Sequence, residues 1–386
     1  MIPSDSTSIL AHFSLLEDPR RNDWNTLHPL SNIVTIALCA VLCGAEGWHD
    51  IATFGKAKEA WFSQRLKLEY GIPSTDTFRR VISSIDPAVF AECFLSWVNA
   101  VVGKLGGGVV AIDGKTLRGS YDKDDPKAAL HMVSAWADSA NMILAQYKVD
   151  QKTNEITAIP TLLKVLDLEG CLVTIDAMGC QHEIAQQIVD QKADYVLSLK
   201  GNQGLLHRDV KDYFAEGKEG LSAREGLSFS ETVNLDHGRK EVRRCWVSDD
   251  VTWLSGYGKW AGLCLIAMIE YVRDVYSESR VERRYYISSR SLTAAGLMEA
   301  VRQHWGIENK VHWVLDVSFS EDASRIRRDD GAENFSTLRR MAINLLRRDE
   351  TSKRKSIKGR RKRAGWDKQY LEQLLGMPNV SAFALG

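Results

Sequence analysis

The order of strands and helices between residues 106 and 200 constrains the fold of this chain more than any other feature. Apolar runs with strand-like composition alternate here with segments of helical spacing. In chain order these are the strand VVAID, strands at 130–136 and 142–149, a helix near 157–168, the strand CLVTID, a helix near 181–192 and the strand YVLSLK. Three strands, a helix, a strand, a helix and a strand predict an α/β layer that begins with a meander.

This element order resembles the ribonuclease-H fold. The two flanking segments have different patterns of apolar residues: residues 1–105 have helical spacing, and residues 201–290 are rich in strand-like runs. Helix starts in the first segment are indicated at Ser31, Asp50, Ser74 and Pro87. Helical spacing returns at 293–312 and at 333–348. We therefore predict a helical N-terminal domain (1–105), a ribonuclease-H-like core (106–200 and 291–350), a strand-rich insertion (201–290) and a basic C-terminal tail (351–386).

Composition supports a globular, multidomain chain. Of 386 residues, 44% are apolar and 26% are charged, which allows a packed core and argues against disorder. The longest apolar stretch, Ile33 to Cys43, is too short for a membrane span, which needs roughly 20 residues. No secretory signal is evident, so we expect a cytoplasmic protein. Seven cysteines without a CxxC pair predict buried, reduced thiols rather than a disulfide or zinc framework.

Two aspartates follow apolar strands in equivalent positions. Asp113 ends the run VVAID and Asp176 ends the run CLVTID. An acid at the carboxyl end of a buried parallel strand projects into the crevice where α/β proteins bind ligands. Either aspartate alone could simply cap the loop that follows it. As a pair on the first and fourth strands, they are predicted to face one cleft.

A third acid is expected from a helix beside this cleft, and Glu308 in RQHWGIENKVHWVLD is the candidate. On a regular helix it shares an otherwise apolar face with Val301 and Leu315, where a lone carboxylate is unfavourable unless it is paired or binds metal. A salt bridge to Arg302 or His312 is the structural alternative. Asp316, Glu321 and Asp322 are the substitutes if another acid completes the site.

Three converging carboxylates without cysteine predict hard cations as cofactors, so Mg²⁺ or Mn²⁺ is expected at Asp113, Asp176 and Glu308. Two such ions, roughly 4 Å apart, activate an attacking oxygen and stabilise a leaving oxygen at a phosphodiester. His304, Glu308 and His312 stand at helical spacing and leave a zinc site as a weaker alternative.

The distribution of charge indicates a polyanionic partner. The net charge is zero, but residues 301–386 carry 18 basic and 11 acidic residues, and TSKRKSIKGRRKR is strongly basic. This pattern predicts contacts with a DNA backbone. Trp305 and Trp313 bracket Glu308, and either could stack on an unpaired base. The candidate DNA-contacting residues are Lys115, Arg118, Arg302, Trp305, Lys310, Arg360, Arg361, Lys362 and Arg363.

Four phrases carry a family resemblance: AIDGKTLRGS, VTIDAMGCQ, DYVLSLKGNQ and HWGIENKVHWVLDVSFSEDASRIR. In this order they resemble the transposases of bacterial insertion sequences, specifically the H-repeat-associated type of the DDE superfamily. The resemblance extends over nearly the whole chain and implies Asp113, Asp176 and Glu308 as the metal-binding acids. It also implies double-stranded DNA as partner and a homodimer in the synaptic complex.

One departure from the family pattern is visible. Related transposases carry Y-x2-R-x3-E-x6-K around the glutamate, but this chain has Val301, His304 and Leu315 at the Tyr, Arg and Lys positions. Arg302 and Lys310 are near but displaced. The phosphate-clamping roles of those three family residues are therefore not transferred to this chain, and whether a hairpin intermediate forms stays open.

The sequence thus predicts a DDE transposase that hydrolyses phosphodiesters at element ends and transfers the freed 3′ hydroxyl to target DNA. Two alternatives remain open at this point. One is a DNA-binding regulator on the same fold without catalysis, and the other is a metal-dependent nuclease that cuts without joining.

Overall fold

The computed structural model describes residues 7–21, 26–121, 129–149, 154–236, 239–275, 278–352 and 354–377. The strands are β1 (Val109–Thr116), β2 (His131–Ala137), β3 (Met142–Val149), β4 (Leu172–Ile175), β5 (Asp194–Leu199), β6 (Ser228–Asp236), β7 (Arg239–Ser248), β8 (Leu265–Val275) and β9 (Glu278–Ser288). The helices are α1 (Ile9–His12), α2 (Leu30–Leu42), α3 (Trp48–Ala57), α4 (Glu59–Ser63), α5 (Thr75–Ser84), α6 (Pro87–Val102), α7 (Glu155–Lys164), α8 (His182–Asp190), α9 (Gly204–Tyr213), α10 (Lys218–Ala223), α11 (Ala294–His304), α12 (Trp313–Phe319), α13 (Gly331–Arg348), α14 (Ile357–Trp366) and α15 (Lys368–Leu375).

These strands form one sheet in the order β3-β2-β1-β4-β5-β9-β8-β7-β6. β1 is antiparallel to β2 and parallel to β4, while β5 runs parallel to β4. A three-stranded meander followed by two parallel strands is the arrangement that the element order predicts. The α/β fold class, with a ribonuclease-H-like core and a helical N-terminal region, is confirmed.

The strand-rich segment after β5 extends the same sheet. Its four strands pair antiparallel, and β9 joins them to β5, with Val196 opposite Ser288. The helix α11 then packs against β1 and β4 as well as β6 and β7. The chain therefore leaves the core after β5 and re-enters it immediately before the segment that contains Glu308.

The N-terminal helices begin near the predicted residues. Ser74 caps α5 by accepting the N–H of Thr77 at 3.1 Å, and Pro87 opens α6 after the N-cap Asp86. α2 begins one residue before Ser31 and α3 two residues before Asp50. The starts at Ser74 and Pro87 are confirmed. They could be predicted more accurately than the other two because an N-cap side chain or a proline specifies the first residue of a helix, whereas apolar spacing does not.

The helix α13 connects the N-terminal helices with the sheet. It packs against α2, α5 and α6 on one side and against β3 on the other. Asn334 donates hydrogen bonds to the carbonyls of Ile82 and Ile85, at 2.8 and 2.9 Å. Asn344 accepts the N–H of Ile143 and donates to its carbonyl, which satisfies backbone groups of the edge strand β3. One hydrophobic core runs through both regions.

The residues predicted as a basic tail fold into α14 and α15. Arg360 is buried and donates to the carbonyls of Leu346 and Asp349, at the end of α13. Arg361 is buried as well and donates to the carbonyls of Val41, Ala45 and Ser318. The prediction that these two arginines contact DNA is wrong, because their guanidinium groups satisfy unpaired carbonyls at and just beyond helix C-termini.

All seven cysteines are free and five are buried, as the prediction of reduced thiols requires. In the described residues, no single helix is long and apolar enough to cross a membrane. Within the same residues, α5 and α6 taken together reach that length and composition, but they are bent by 87°.

Candidate active site

Asp113 and Asp176 lie side by side at one edge of two parallel strands. The pairing of β1 with β4 ends where Ile112 faces Ile175. Asp113 directly follows Ile112, and Asp176 directly follows Ile175. β4 stops there, whereas β1 continues to Thr116 because β2 still pairs with it. The expectation that the first strand ends at Asp113 is therefore three residues short.

Glu308 opens a π-helical turn, Glu308–His312, between α11 and α12. The N–H of Trp313 donates to the carbonyl of Glu308, five residues earlier. The helical spacing predicted over 293–312 is confirmed for most of that range, but α11 ends at His304, Trp305 lies in a turn, and the last five residues are π-helical rather than α-helical. Single π turns inside helices are rare and frequently occur at functional sites.

The π turn brings a carboxylate and an imidazole to Asp113. Ligand atoms of Asp113, Glu308 and His312 lie within 4.8 Å of one another. Nε2 of His312 is 3.8 Å from Oδ2 of Asp113. Asp113, Asp176 and Glu308 line one cavity of about 310 Å³, whose rim includes Lys200. The three predicted acids therefore line one cavity, but Asp176 lies outside the cluster of ligand atoms that Asp113 and Glu308 form with His312.

Burial and like charge perturb both aspartates. Desolvation raises the pKa of Asp113 to about 7, opposed by a backbone hydrogen bond from Gly114 and reinforced by the charge of Asp176. Desolvation also raises the pKa of Asp176, whose carboxylate accepts the N–H of Met178 at 3.0 Å. Carboxyl groups that resist ionisation when they lie close together are typical of sites that bind cations.

The donor set at this cavity fits a divalent cation. Burial lowers the pKa of His312 to about 3, and the charges of Arg340 and Lys115 add to the shift, so its imidazole is neutral. Among the described residues, its Nε2 has no hydrogen-bond partner. A neutral imidazole and adjacent carboxylates are the ligand types that bind divalent metals in proteins.

A fourth acid, Glu155, was not singled out by the sequence. It is the first residue of α7, it accepts a hydrogen bond from His131 Nε2 at 2.7 Å, and its charge raises the pKa of both aspartates. A Cβ at Gly114 would come within 2.2 Å of the Glu155 carboxylate and 2.6 Å of His131 Nε2, so a larger residue there would displace this hydrogen-bonded pair. Topology could have revealed it, because a three-stranded meander returns the chain to the edge where β1 ends.

Comparison with known proteins decides the family. The model described as "Transposase DDE domain" matches residues 104–345, and the model "DDE_Tnp_1-associated" matches residues 10–98. This chain belongs to the DDE transposase family. YhhI of Escherichia coli strain K12, named as a candidate H repeat-associated transposase, is 40% identical over 97% of this chain and 99% of its own length.

Two further comparisons accompany this result. YncI of Escherichia coli O157:H7, named as a candidate transposase, is 42% identical over 95% of this chain and 94% of its own length. A solved structure of the piggyBac transposase synaptic complex with hairpin DNA aligns with 99% of this chain and 82% of that chain. Its identity is 11% and its TM-score is 0.42.

Lys115 of this transposase does not lie on the surface. It is buried beneath the active-site edge and forms ion pairs with Asp316 and Asp322, each at 2.9 Å. Its predicted contact with phosphate is therefore wrong. Asp316 and Asp322, two of the acids considered as substitutes for Glu308, are thus paired with Lys115. The third, Glu321, is fully buried against Arg340.

Other predicted DNA contacts of the transposase remain accessible. Arg118, Arg302 and Lys362 are exposed. Trp305 is exposed at the cavity rim, where the guanidinium of Arg284 lies 5.0 Å from its ring. Lys310 is half-buried in an ion pair with Asp138, and Arg363 hydrogen-bonds Ser352 and Asp367.

The residues that stand at the positions of the family's Tyr, Arg and Lys are buried or hydrogen-bonded inside this transposase. Val301 and Leu315 are buried, and Nδ1 of His304 hydrogen-bonds Thr174 at 3.0 Å. His304 is also absent from the cluster of ligand atoms that the described residues form, which argues against the predicted alternative of zinc on three helix positions.

Proposed function

We propose that this transposase catalyses metal-dependent hydrolysis of phosphodiesters at the ends of its element and transfer of the freed 3′ hydroxyl into target DNA. The observation that supports it best is the convergence of Asp113, Asp176 and Glu308 on one cavity. Asp113 and Glu308 lie close enough to share a cation.

Asp113, Asp176 and Glu308 would hold two Mg²⁺ or Mn²⁺ ions. Such ions activate the attacking oxygen and stabilise the leaving oxygen of an in-line displacement. Asp113 lies on β1 and Asp176 directly follows β4, and regular elements position side chains more rigidly than loops do. Asp113 must lose its proton for the site to accept cations, so cation binding should strengthen as the pH rises through about 7.

The partner in this proposal is double-stranded DNA, both the element ends and the target. Exposed Arg118, Arg302 and Lys362 are the candidate phosphate contacts among the residues that the sequence indicated. Trp305, exposed beside the cavity, offers a stacking surface for a base near the reacting phosphate. Pairing of two element ends implies a homodimer in the synaptic complex.

Cleavage of DNA that carries the repeats flanking the coding region in its genome tests the proposal. The wild type should cut in the presence of Mg²⁺ or Mn²⁺, and Asp113→Asn and Glu308→Gln should each abolish cutting while DNA affinity stays within about twofold. Asp190→Asn, at the end of α8 and outside the cavity lining, is the matched control and should cut normally.

A second arm separates the alternatives. Pre-cut ends bearing a 3′ hydroxyl are incubated with a plasmid target, and joined products are counted. Joining by the wild type supports transposition, whereas cutting without joining would indicate a nuclease. Equal activity of the wild type and Asp113→Asn, or no metal-dependent cutting at all, would contradict the proposal in favour of a non-catalytic DNA-binding protein.

A further inference from the structure

We propose that His312 donates Nε2 to the cation held by Asp113 and Glu308, so that this ion is bound by an imidazole in addition to carboxylates. The inference rests on the proposed function, because it concerns a ligand of the same metal site. It adds a residue that the three-acid pattern does not contain.

The position of His312 is the first argument. The residue is 4% exposed, and its Nε2 is buried without a hydrogen-bond partner among the described residues. The nearest acid, Oδ2 of Asp113, is 3.8 Å away, too far for a hydrogen bond. A buried polar nitrogen without a partner is unfavourable, which suggests that a partner binds there in the functional state.

The spacing of the donors is the second argument. Atoms that share one cation at about 2.1 Å each lie roughly 3–4 Å apart. The separation of 3.8 Å between His312 and Asp113 falls in this range, and the whole cluster with Glu308 spans no more than 4.8 Å. Glu308 and His312 are the first and last residues of the π turn, and at four residues apart they face the same side of the helix.

Two other histidines near the cavity hydrogen-bond to protein groups. His131 hydrogen-bonds Thr116 through Nδ1 and Glu155 through Nε2, each at 2.7 Å. His304 hydrogen-bonds Thr174. Both are therefore engaged by protein groups, whereas His312 directs its free nitrogen at two carboxylates.

The choice of metal follows from this ligand. Mg²⁺ prefers oxygen donors and nearly ideal octahedral geometry, whereas imidazole nitrogen suits transition metals better. His312 should therefore shift the site toward Mn²⁺ relative to a site built from carboxylates alone. Replacing His312 with glutamine should weaken Mn²⁺ binding by at least about tenfold and weaken Mg²⁺ binding less.

Pulsed electron paramagnetic resonance of Mn²⁺ bound to the full-length protein tests the inference directly. The wild type should show coupling to a directly bound nitrogen, and ¹⁵N-labelled histidine should change that coupling from the ¹⁴N to the ¹⁵N pattern. The coupling should disappear in His312→Gln and persist in the control His304→Gln. If His312→Gln does not fold, the spectrum of the labelled wild type still decides the question.

The outcomes separate this inference from the proposed function. Bound Mn²⁺ without nitrogen coupling in the wild type overturns the role of His312 and leaves the carboxylate site intact. Coupling that persists in folded His312→Gln also overturns it. Equal Mn²⁺ binding by the wild type and Asp113→Asn would overturn the metal site itself, and this inference with it.

Discussion

Asp113 lowers the stability of the metal-free protein and is a proposed ligand of the catalytic cations. Its carboxyl lies beside Asp176, Glu155 and Glu308 with only 26% of the side chain exposed. Grouping acids in this way is unfavourable for the metal-free protein and becomes favourable only when a cation neutralises them. This conflict between local stability and function is the expected signature of a functional site.

Replacing Asp113 with asparagine should therefore stabilise the metal-free protein at pH 8. The pKa of Asp113 rises from 3.8 to about 7 on folding, so the folded state retains a proton that the unfolded chain has already lost. The free energy of unfolding then decreases as the pH rises between these values. Allowing for the partial exposure of Asp113, we expect the free energy of unfolding of the variant to be higher by about 2 kcal/mol, as measured by urea unfolding in EDTA.

The pH dependence provides the control for this prediction. At pH 5 the advantage of Asp113→Asn should shrink to less than half, because most of the difference in proton binding accumulates above that pH. A variant less stable than the wild type at pH 8, or a difference independent of pH, would show that Asp113 is not strained in the metal-free state.

The residues that the sequence revealed differ in kind from those it missed. Asp113 and Asp176 were visible because each ends a run of apolar residues. Glu155 was not assigned to the site, since its position depends on the side of the sheet where α7 begins. His312 was indicated only as a salt-bridge partner of Glu308 or a zinc ligand, and its place beside Asp113 appears only with the π turn. Lys115, Arg360 and Arg361 were misassigned because charge in a sequence does not report burial, and each is paired inside the protein.

At the scale of single elements, the π turn determines which side chains reach the cavity. Helical periodicity alone places Trp305, Glu308 and His312 on one face with buried residues, whereas in the structure Trp305 and Glu308 are exposed and His312 is buried. A wider turn accommodates one additional residue, and ordinary helical spacing cannot represent that insertion. The strands and most helices were predictable because apolar alternation, caps and proline act locally.

Deleting Asn309 should convert the π turn into a regular helix and remove metal binding. The residue is exposed, so its loss should leave the free energy of unfolding unchanged or slightly higher. Glu308 and His312 would no longer meet Asp113, and Mn²⁺ affinity should fall at least about tenfold, as measured by calorimetry. Asn309→Ala keeps the chain length and should bind Mn²⁺ normally; equal affinity in the deletion variant would refute the role of the turn.

The helix α14 offers a matched pair of basic residues. Arg361→Ala should lower the free energy of unfolding by about 3 kcal/mol, because three backbone carbonyls lose a buried donor. Lys362→Ala, at the next and exposed position, should leave stability unchanged and weaken DNA binding. Denaturant unfolding and salt-dependent DNA binding distinguish the two; a stable Arg361→Ala protein with weakened DNA binding would reverse the assignment.

At the scale of the whole molecule, α13 makes the N-terminal helices and the sheet one packing unit. Phe335 and Leu338 are fully buried in a core that also contains Ile36 and Phe78. The ring of Trp48 packs edge-to-face on Phe335, with centroids 5.1 Å apart. The division into sequence segments therefore need not correspond to segments that fold independently.

A chain of residues 104–386 should accordingly fail to fold as a soluble monomer. Removal of α1 to α6 exposes the apolar face of α13 and leaves Asn334 without the carbonyls of α5 and the residue after it. Size-exclusion chromatography and circular dichroism test this expectation against the full-length chain. A monomeric fragment with a cooperative melting transition would contradict it and support an autonomous catalytic domain.

Asp113, Asp176 and Glu308 are proposed to hold the catalytic cations together. The most direct measurement is the anomalous diffraction of manganese in crystals of the full-length protein soaked in Mn²⁺. On this proposal, anomalous peaks are expected within bonding distance of these three carboxylates. Peaks elsewhere, or none at this cavity at saturating Mn²⁺, would contradict it.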